Sequence, residues 1–199
     1  MRVIGGAYFE EIREPISTEF YGSGLRAASV LSGSTNVRLQ TAVDPDYAGA
    51  ARAIASTFGF ELEMVARPLS AGFRYYTQLS SPTIEGTNQD PQSFTVSSSE
   101  PTLVFGMIDG RANVEAPVVI FDPQRPRGAR SADLETISTK RLAIVANHSE
   151  VLSLGRSDVL ETAVRNIQQL RQVEVIIVKR GPLGATIFEE AKMPTQVGP

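Results

Sequence analysis

Short apolar runs rich in Val and Ile recur along the 199-residue chain. Several are apolar without alternation, which is typical of strands buried on both faces of a parallel sheet. The pattern predicts seven strands: RVIGGAYF (2–9), VRLQTAV (37–43), LVFGM (103–107), PVVIFD (117–122), RLAIVA (141–146), VEVIIVK (173–179) and ATIFE (185–189).

A first amphipathic helix is predicted between residues 44 and 59. Asp44 suits the N-cap, Pro45 suits the first helical position, and Gly59 suits the end of the helix. One apolar stripe at helical spacing would face the core. Its members are Ala48, Ala51, Ile54, Ala55 and Phe58.

A second helix is predicted after Ser157, which is a suitable N-cap, and Asp158 and Glu161 suit its positive end. The strand VEVIIVK follows after a short turn, which completes a strand–helix–strand unit. Repeated units of this kind predict an α/β fold with a parallel, Rossmann-like sheet covered by helices. The apolar face of this helix consists of Val159, Ala163, Ile167 and Leu170.

Three stretches do not fit the alternation of strands and helices. Residues 67–81 alternate aromatic and polar positions, which predicts an antiparallel piece at a sheet edge. Residues 82–99 are polar and rich in Ser and Pro, which predicts an exposed loop, and residues 122–135 predict another loop.

Composition narrows the class of protein. The apolar fraction is 42%, the net charge is −3, and neither a basic patch nor a long apolar segment is present, so we expect no nucleic-acid or membrane partner. The chain has no Cys and one His, which excludes a disulfide framework and a His-rich metal site. The start resembles no signal peptide, so we expect a single cytoplasmic domain over residues 1–199.

Asn147 and Glu150 follow the strand LAIVA, at the edge where open parallel sheets bind ligands. An amide and a carboxylate there suit a hydrated Mg²⁺ held against phosphate. The same spacing also predicts a capping box at a helix start. His148 has no partners at an interpretable spacing, and we interpret it as structural.

Two glycine-bearing stretches are also open to two interpretations. VKRGPLGA (178–185) is either a turn that aims N–H groups at phosphate or a plain hairpin. Gly22 and Gly24 precede a helical run and allow close approach either of a ligand or of the helix itself. The stretch lacks the Gly-Lys-Ser/Thr ending of a Walker A loop.

The order of these motifs carries more information than any one of them. VIGGAYFEEI, YGSGLRAASVLSG, TAVDPDYAG, PVVIFDPQRP, ANHSE and VIIVKRGPLGA follow one another as in ribokinase-like (PfkB-type) carbohydrate kinases, and the resemblance covers essentially the whole chain. It implies a three-layer ribokinase-type fold with a small β lid around residues 10–24 and 67–81. It also implies ATP- and Mg²⁺-dependent phosphorylation of a hydroxymethyl group on a sugar or nucleoside.

The resemblance assigns roles to particular residues. Asn147 and Glu150 match the N-x-x-E motif, whose Glu organises Mg²⁺ through water beside the triphosphate. The nucleotide-proximal positions are Lys179, Gly181 and Gly184, and the substrate-binding positions are Gly6, Glu10, Gly22, Gly24 and Arg26.

Two substrate positions depart from the family pattern. Glu10 stands where the family has an Asp that binds substrate hydroxyls, and Arg26 stands where an Asn is expected. A longer acid and a cation at these positions imply a substrate that differs from those of the family, a more anionic substrate, or no substrate at all.

The family's Gly-Ala-Gly-Asp signature, which contains the general base, does not occur in residues 1–199. We therefore expect the chain to be C-terminally truncated relative to the family and to have no kinase activity alone. The alternatives are a non-catalytic binding or scaffolding protein on a degenerate kinase fold, or one half of a split kinase. Uncovered strand edges also predict self-association, for example as a homodimer.

Overall fold

In the computed structural model, residues 1–67, 71–77, 80–86, 92–124, 132–170, 173–190 and 192–198 are described. Their contacts divide the chain into two units. The first comprises Met1–Phe94 and Met107–Arg111, and the second comprises Thr95–Gly106 and Ala112–Pro199. That they form one domain stays a prediction.

The first unit contains a parallel sheet, a small second sheet and two α-helices. In chain order its elements are β1 (Arg2–Ile4), β2 (Phe9–Glu14), β3 (Ser17–Phe20), α1 (Gly22–Leu31), β4 (Arg38–Val43), α2 (Ala48–Phe58), β5 (Glu61–Ala66), β6 (Gly72–Thr77) and β7 (Thr83–Glu85). The parallel sheet has the order β1-β4-β5. The predicted strand 2–9 is therefore divided by a link of residues 5–8 between β1 and β2, which belong to different sheets.

The small sheet has the order β3-β2-β6-β7 and occupies the region predicted as a lid. Strand β6 pairs parallel with β2 and antiparallel with β7, and β2 pairs antiparallel with β3. The predicted edge position of residues 67–81 was therefore wrong, because β6 is an inner strand of this sheet. The sheet uses residues 9–20 and 72–85, whereas residues 22–24 belong to α1. Positions 68–70 and 78–79 of the predicted edge lie outside the described residues.

The first predicted helix begins and ends as expected, but its apolar stripe is narrower. The Asp44 carboxylate accepts the N–H of Asp46 at 3.0 Å, a short 3₁₀ turn leads into α2, and Gly59 ends it with φ 74°. Ala51 and Ala55 are buried, whereas Phe58 is 44% exposed. The placement of Phe58 in the core was wrong, because it lies in the last turn, beyond the buried part of the face.

The predicted loop 82–99 was also wrong, because it contains β7 and a further strand, β8 (Gln92–Ser97). In β8 the side chains of Phe94 and Val96 are buried, and the intervening polar residues are exposed. The strand lies beside β10 (Gly110–Asp122), whose first two residues belong to the first unit. Residues 87–91 are outside the described part of the chain.

The second unit is built on a mostly parallel sheet. Beyond β10 its elements are β9 (Thr102–Phe105), α3 (Ala132–Glu135), β11 (Ile137–Asn147), α4 (His148–Gly155), α5 (Leu160–Leu170), β12 (Val173–Lys179), β13 (Ala185–Glu189) and β14 (Thr195–Val197). Strands β9, β10, β11 and β12 are parallel neighbours, and β13 and β14 add antiparallel to the edge.

Helix α5 begins at Leu160, two residues later than a helix capped by Ser157 would. The Ser157 hydroxyl accepts the N–H of Val159, and Val159 itself is 56% exposed, so its predicted place on the buried face was wrong. Ala163 and Ile167 are fully buried, as predicted. The side chain of Leu170 lies outside the described residues, as do positions 125–131 of the second predicted loop, whose end forms α3.

Apolar side chains from both strands and helices form the core of the second unit. Ile144, Ile176 and Val178 from the sheet, and Leu154 and Ile167 from the helices, are fully buried. Burial of one such side chain contributes roughly 1.5–3 kcal/mol. In the described part of the chain, no helix combines the length and the apolar character needed to cross a membrane.

Candidate functional site

Three neighbouring parallel strands of the second unit end in polar residues at the same edge of the sheet. Asp122 ends β10, Asn147 ends β11 and Lys179 ends β12. Asn147 is in register with Lys179, and Phe121 is in register with Ile144. The carboxyl edge of parallel strands is where open α/β sheets bind ligands, so this edge is the candidate site of the second unit.

Asn147 and Glu150 form a complete capping box at the start of α4. The Asn147 side-chain oxygen accepts the Glu150 N–H at 2.9 Å, and Glu150 Oε2 accepts the Asn147 N–H at 2.8 Å. Glu150 is only 5% exposed. The capping interpretation is therefore confirmed, and any role in binding a metal would be additional to it. His148 is the exposed first residue of the helix.

Lys179, at the end of β12, forms an ion pair with Asp122 at the end of β10, across the end of the intervening strand β11. Its Nζ lies 2.6 Å from Asp122 Oδ2, with the side chains 40% and 9% exposed. Burial raises the pKa of Asp122 above its ordinary value, although Lys179 and the Gln124 N–H both favour the charged form. Sequence reasoning missed Asp122, although its position as the last residue of PVVIFD was the available signal.

The glycines after β12 form a hairpin turn. Gly181 and Gly184 have φ values of 57° and 79°, which favour glycine. The Arg180 N–H donates to the Gly184 carbonyl at 2.8 Å, and the Gly184 N–H donates to the Gly181 carbonyl at 3.0 Å. Because β12 and β13 pair antiparallel across this turn, the hairpin interpretation is confirmed.

The donor set at this edge suits a cation that keeps most of its water. Among the described residues, no group of three or more His, Cys, Asp or Glu side chains is placed to hold a metal ion. Mg²⁺ needs no such cage, since it is commonly bound by one or two carboxylates together with waters and substrate phosphates. Asp122 and Glu150 supply carboxylates at this edge and Asn147 supplies an amide oxygen, and Asn147 Oδ1 and Glu150 Oε2 also accept the N–H groups of the capping box.

In the first unit, the predicted substrate positions contact one another. Arg26 Nη2 lies 2.8 Å from Glu10 Oε2 and 3.3 Å from Glu19 Oε2, and Glu10 Oε1 accepts the Gly22 N–H at 3.2 Å. The Arg26 guanidinium also lies 5.3 Å from the centre of the Tyr21 ring. Glu10 and Arg26, the acid and the cation at the predicted substrate positions, therefore form an ion pair.

The glycines nearby serve close packing of backbones. A Cβ on Gly22 or Gly24 would lie 2.6–2.7 Å from the carbonyl oxygens of Gly6 and Gly5, respectively, and a Cβ on Gly6 would meet the Tyr8 ring. The Gly24 N–H donates to the Gly6 carbonyl at 2.9 Å. These contacts bring the start of α1 against the link between β1 and β2.

Gly24→Ala is expected to lower the free energy of unfolding by about 1–3 kcal/mol, because backbone atoms would have to move to admit the methyl group. Urea denaturation measures the change. Gly49→Ala is the control, since a Cβ there meets nothing within 4 Å. Its position inside α2 should make that variant more stable by roughly 0.5–1 kcal/mol. Equal effects of the two substitutions would contradict this account of Gly24.

A buried ion pair that sequence reasoning missed lies elsewhere in the first unit. Arg67 Nε and Asp109 Oδ2 are 2.7 Å apart, with the side chains 2% and 1% exposed. The Tyr8 hydroxyl donates to Asp109 Oδ1 at 2.6 Å and accepts the Ile108 N–H at 3.1 Å. Burial, reinforced by the charge of Asp109, raises the pKa of Tyr8 well above its ordinary value.

The predicted site residues thus fall into two groups. Gly6, Glu10, Gly22, Gly24 and Arg26 lie together in the first unit. Asn147, Glu150 and Lys179 lie at the strand ends of the second unit, and Gly181 and Gly184 follow in the adjoining turn.

No family model and no curated protein sequence matches the chain. Solved structures do. The fructokinase of Vibrio cholerae O395 with fructose, ADP and calcium superposes with a TM-score of 0.71 at 12% identity, over 99% of this chain and 76% of that one. The ribokinase of Thermotoga maritima gives 0.67 at 14% identity, over 99% and 76%.

A pyrophosphate-dependent kinase in the ribokinase family, solved with a pyrophosphate analog and myo-inositol, gives a TM-score of 0.68 at 13% identity, over 98% of this chain and 78% of that one. At such identities the likeness concerns the fold. The chain therefore has the ribokinase-type α/β fold of the sugar and inositol kinases.

Proposed function

We propose that the chain is a PfkB-type sugar or nucleoside kinase homologue, without kinase activity as residues 1–199 alone, whose second unit binds ATP and Mg²⁺ at its strand ends. The observation that carries the proposal is that Asp122, Asn147 and Lys179 are the last residues of three neighbouring parallel strands, with Asn147 in register with Lys179. Charged and amide side chains at that edge suit phosphate and its counter-ion.

The residues at this edge have different tasks in the proposal. The Lys179 ammonium, which is partly exposed, binds phosphate oxygens as a point charge. Asn147 and Glu150 orient the water shell of Mg²⁺ while they cap α4. When bound, the cation neutralises charge on the transferring phosphoryl group. In the absence of bound nucleotide, the Asp122 carboxylate accepts a hydrogen bond from Lys179 Nζ and keeps the ammonium at this edge.

We propose an uncharged polyol as the hydroxyl substrate, covered by the small sheet of the first unit. Arg26 already lies between the carboxylates of Glu10 and Glu19, so this cluster carries a net negative charge. An anionic substrate would have to compete with those carboxylates, whereas hydroxyl groups can donate to them. The sugar and inositol ligands of the structural neighbours are of this chemical class.

One observation favours the alternative of a non-catalytic binding protein or half of a split kinase. Glu10 pairs with Arg26, and Asn147 pairs with Glu150, so each candidate pair is satisfied by internal contacts. Under this alternative the same residues serve the fold alone. In either case we propose a cytoplasmic protein that associates with itself, as the strand edges of the small sheet permit.

Binding of Mg²⁺ and ADP to the chain, measured by calorimetry, tests the proposal. Glu150→Gln is expected to weaken Mg²⁺-dependent ADP binding about 10–100-fold, since it removes a charge that orients the metal's ligands. The thermal midpoint should hardly change, because Gln also completes a capping box.

Glu174→Gln is the matched control. Glu174 lies near the start of β12, far along the strand from Lys179, in an exposed ion pair with Arg141. That variant should bind like the parent. If the parent binds no nucleotide, or if Glu150→Gln binds as well as the parent at limiting Mg²⁺, the non-catalytic alternative stands.

A further inference from the structure

The buried guanidinium of Arg67 contacts three backbone carbonyls. Its Nη2 donates to Ala7 and to Ala42, each at 2.6 Å, and its Nη1 donates to Ala71 at 3.3 Å. Nε lies 2.7 Å from Asp109 Oδ2 as an ion pair that lacks hydrogen-bond geometry. All four partners belong to the first unit, and they are distant from Arg67 in sequence except for Ala71.

Two of these carbonyls mark the points where the chain enters the small sheet. Ala7 lies in the link from β1 to β2, two residues before β2 begins. Ala71 immediately precedes β6. Strands β2 and β6 are parallel neighbours in the small sheet, with Phe9 in register with Gly72.

The third carbonyl and the arginine itself belong to the parallel sheet. Ala42 is near the end of β4, and Arg67 is the residue directly after β5, where its N–H donates to the Val43 carbonyl at 2.9 Å. One side chain thus joins the carboxyl edge of the parallel sheet to the base of both inner strands of the small sheet.

The chemistry of this position requires arginine. A planar guanidinium presents donors in several fixed directions, whereas a lysine ammonium is a single point on a flexible chain. Asp109 compensates the buried charge, and the Tyr8 ring lies 5.0 Å from the guanidinium carbon. Ala7, Ala71 and Tyr8 are themselves almost fully buried, so no water replaces these contacts.

We infer that Arg67 is a positioning residue for the small sheet: it fixes the base from which β2 holds Glu10 and β6 holds Phe73. Glu10 lies three residues after Ala7, and Phe73 lies two residues after Ala71 and is in register with Glu10. The value of this placement for substrate binding rests on the proposed function. The attachment itself does not, and it can be tested without an activity.

Hydrogen exchange of the whole chain provides the test. In Arg67→Lys, amides of β2 and β6 are expected to exchange at least about tenfold faster, because local opening of the small sheet becomes easier. Amides of β4 should be accelerated less than those of β2 and β6, because β4 also pairs with β1 and β5. Asp109→Asn retains the size of the side chain and an acceptor for Tyr8, and it should give the same pattern at smaller amplitude.

Arg74→Lys is the control, since Arg74 lies on β6 and makes two half-exposed ion pairs, with Glu11 and Glu85. It should leave the exchange of β2 and β6 near that of the parent. The inference would be overturned by any of three results: equal acceleration in β4, unchanged exchange in β2 and β6, or failure of both Arg67→Lys and Asp109→Asn to fold. Each would mean that Arg67 contributes to the stability of the whole unit and does not position the small sheet in particular. A chain that binds no nucleotide but shows the expected exchange pattern would contradict only the proposed function and not the inference about Arg67.

Discussion

Asp109→Ala is expected to lower the free energy of unfolding by about 3–5 kcal/mol, since it leaves the guanidinium of Arg67 buried without its counter-charge. The two side chains are 1% and 2% exposed, so water cannot replace the carboxylate. The Tyr8 hydroxyl loses its acceptor in the same step. Chemical denaturation followed by circular dichroism measures the change.

Glu174→Ala is the control for this prediction. It breaks the exposed ion pair with Arg141, whose nitrogen lies 2.9 Å from the carboxylate. An exposed pair of this kind contributes less than about 1 kcal/mol. If the two alanine variants unfold at the same denaturant concentration, the buried pair contributes no more to the free energy of unfolding than the exposed pair does.

Gly155→Ala is expected to cost about 3 kcal/mol, at the upper end of the range for overpacking. A Cβ on Gly155 would lie 2.3 Å from the carbonyl oxygen of Ala163 and 2.4 Å from its Cα. Both obstacles are backbone atoms of α5, so helices α4 and α5 would have to separate. The hydrogen bond from the Asn166 amide to the Gly155 carbonyl, at 2.8 Å, would be strained as well.

Gly33→Ala provides the comparison for Gly155, because its nearest obstacle would lie at an ordinary contact distance of 3.6 Å. That variant should change the free energy of unfolding by less than about 0.5 kcal/mol. Thermal unfolding of the three proteins, followed in parallel, separates the two positions. A Gly155→Ala protein as stable as the parent would mean that α4 and α5 tolerate a wider separation.

Most of the central strands could be predicted from sequence because burial on both faces leaves continuous apolar runs, as in β11 and β12. Strand β8 was missed because only Phe94 and Val96 are buried and the surrounding residues are polar. The helix boundaries followed local chemistry, as at Gly59. The exposure of Phe58 and Val159 depends on what packs against the helix ends, which local spacing does not specify.

The candidate site was predictable where its contacts are local. The two residues of the capping box are three positions apart, so their spacing identifies the box in the sequence. The Lys179–Asp122 pair joins residues 57 positions apart, and the Tyr8–Asp109 bond joins residues 101 positions apart. Such pairs arise from the order of strands and from chain links between sheets, and neither is encoded in a short motif.

The capping box at the start of α4 also affects how the sequence of this segment can evolve. Asn147 and Glu150 each satisfy a backbone N–H of the other, so folding alone would select for both side chains after any loss of phosphoryl transfer. An Asn-x-x-Glu motif can therefore be retained in a sequence that does not catalyse phosphoryl transfer. Lys179 also has a structural contact, the ion pair with the nearly buried Asp122, so folding favours its retention as well.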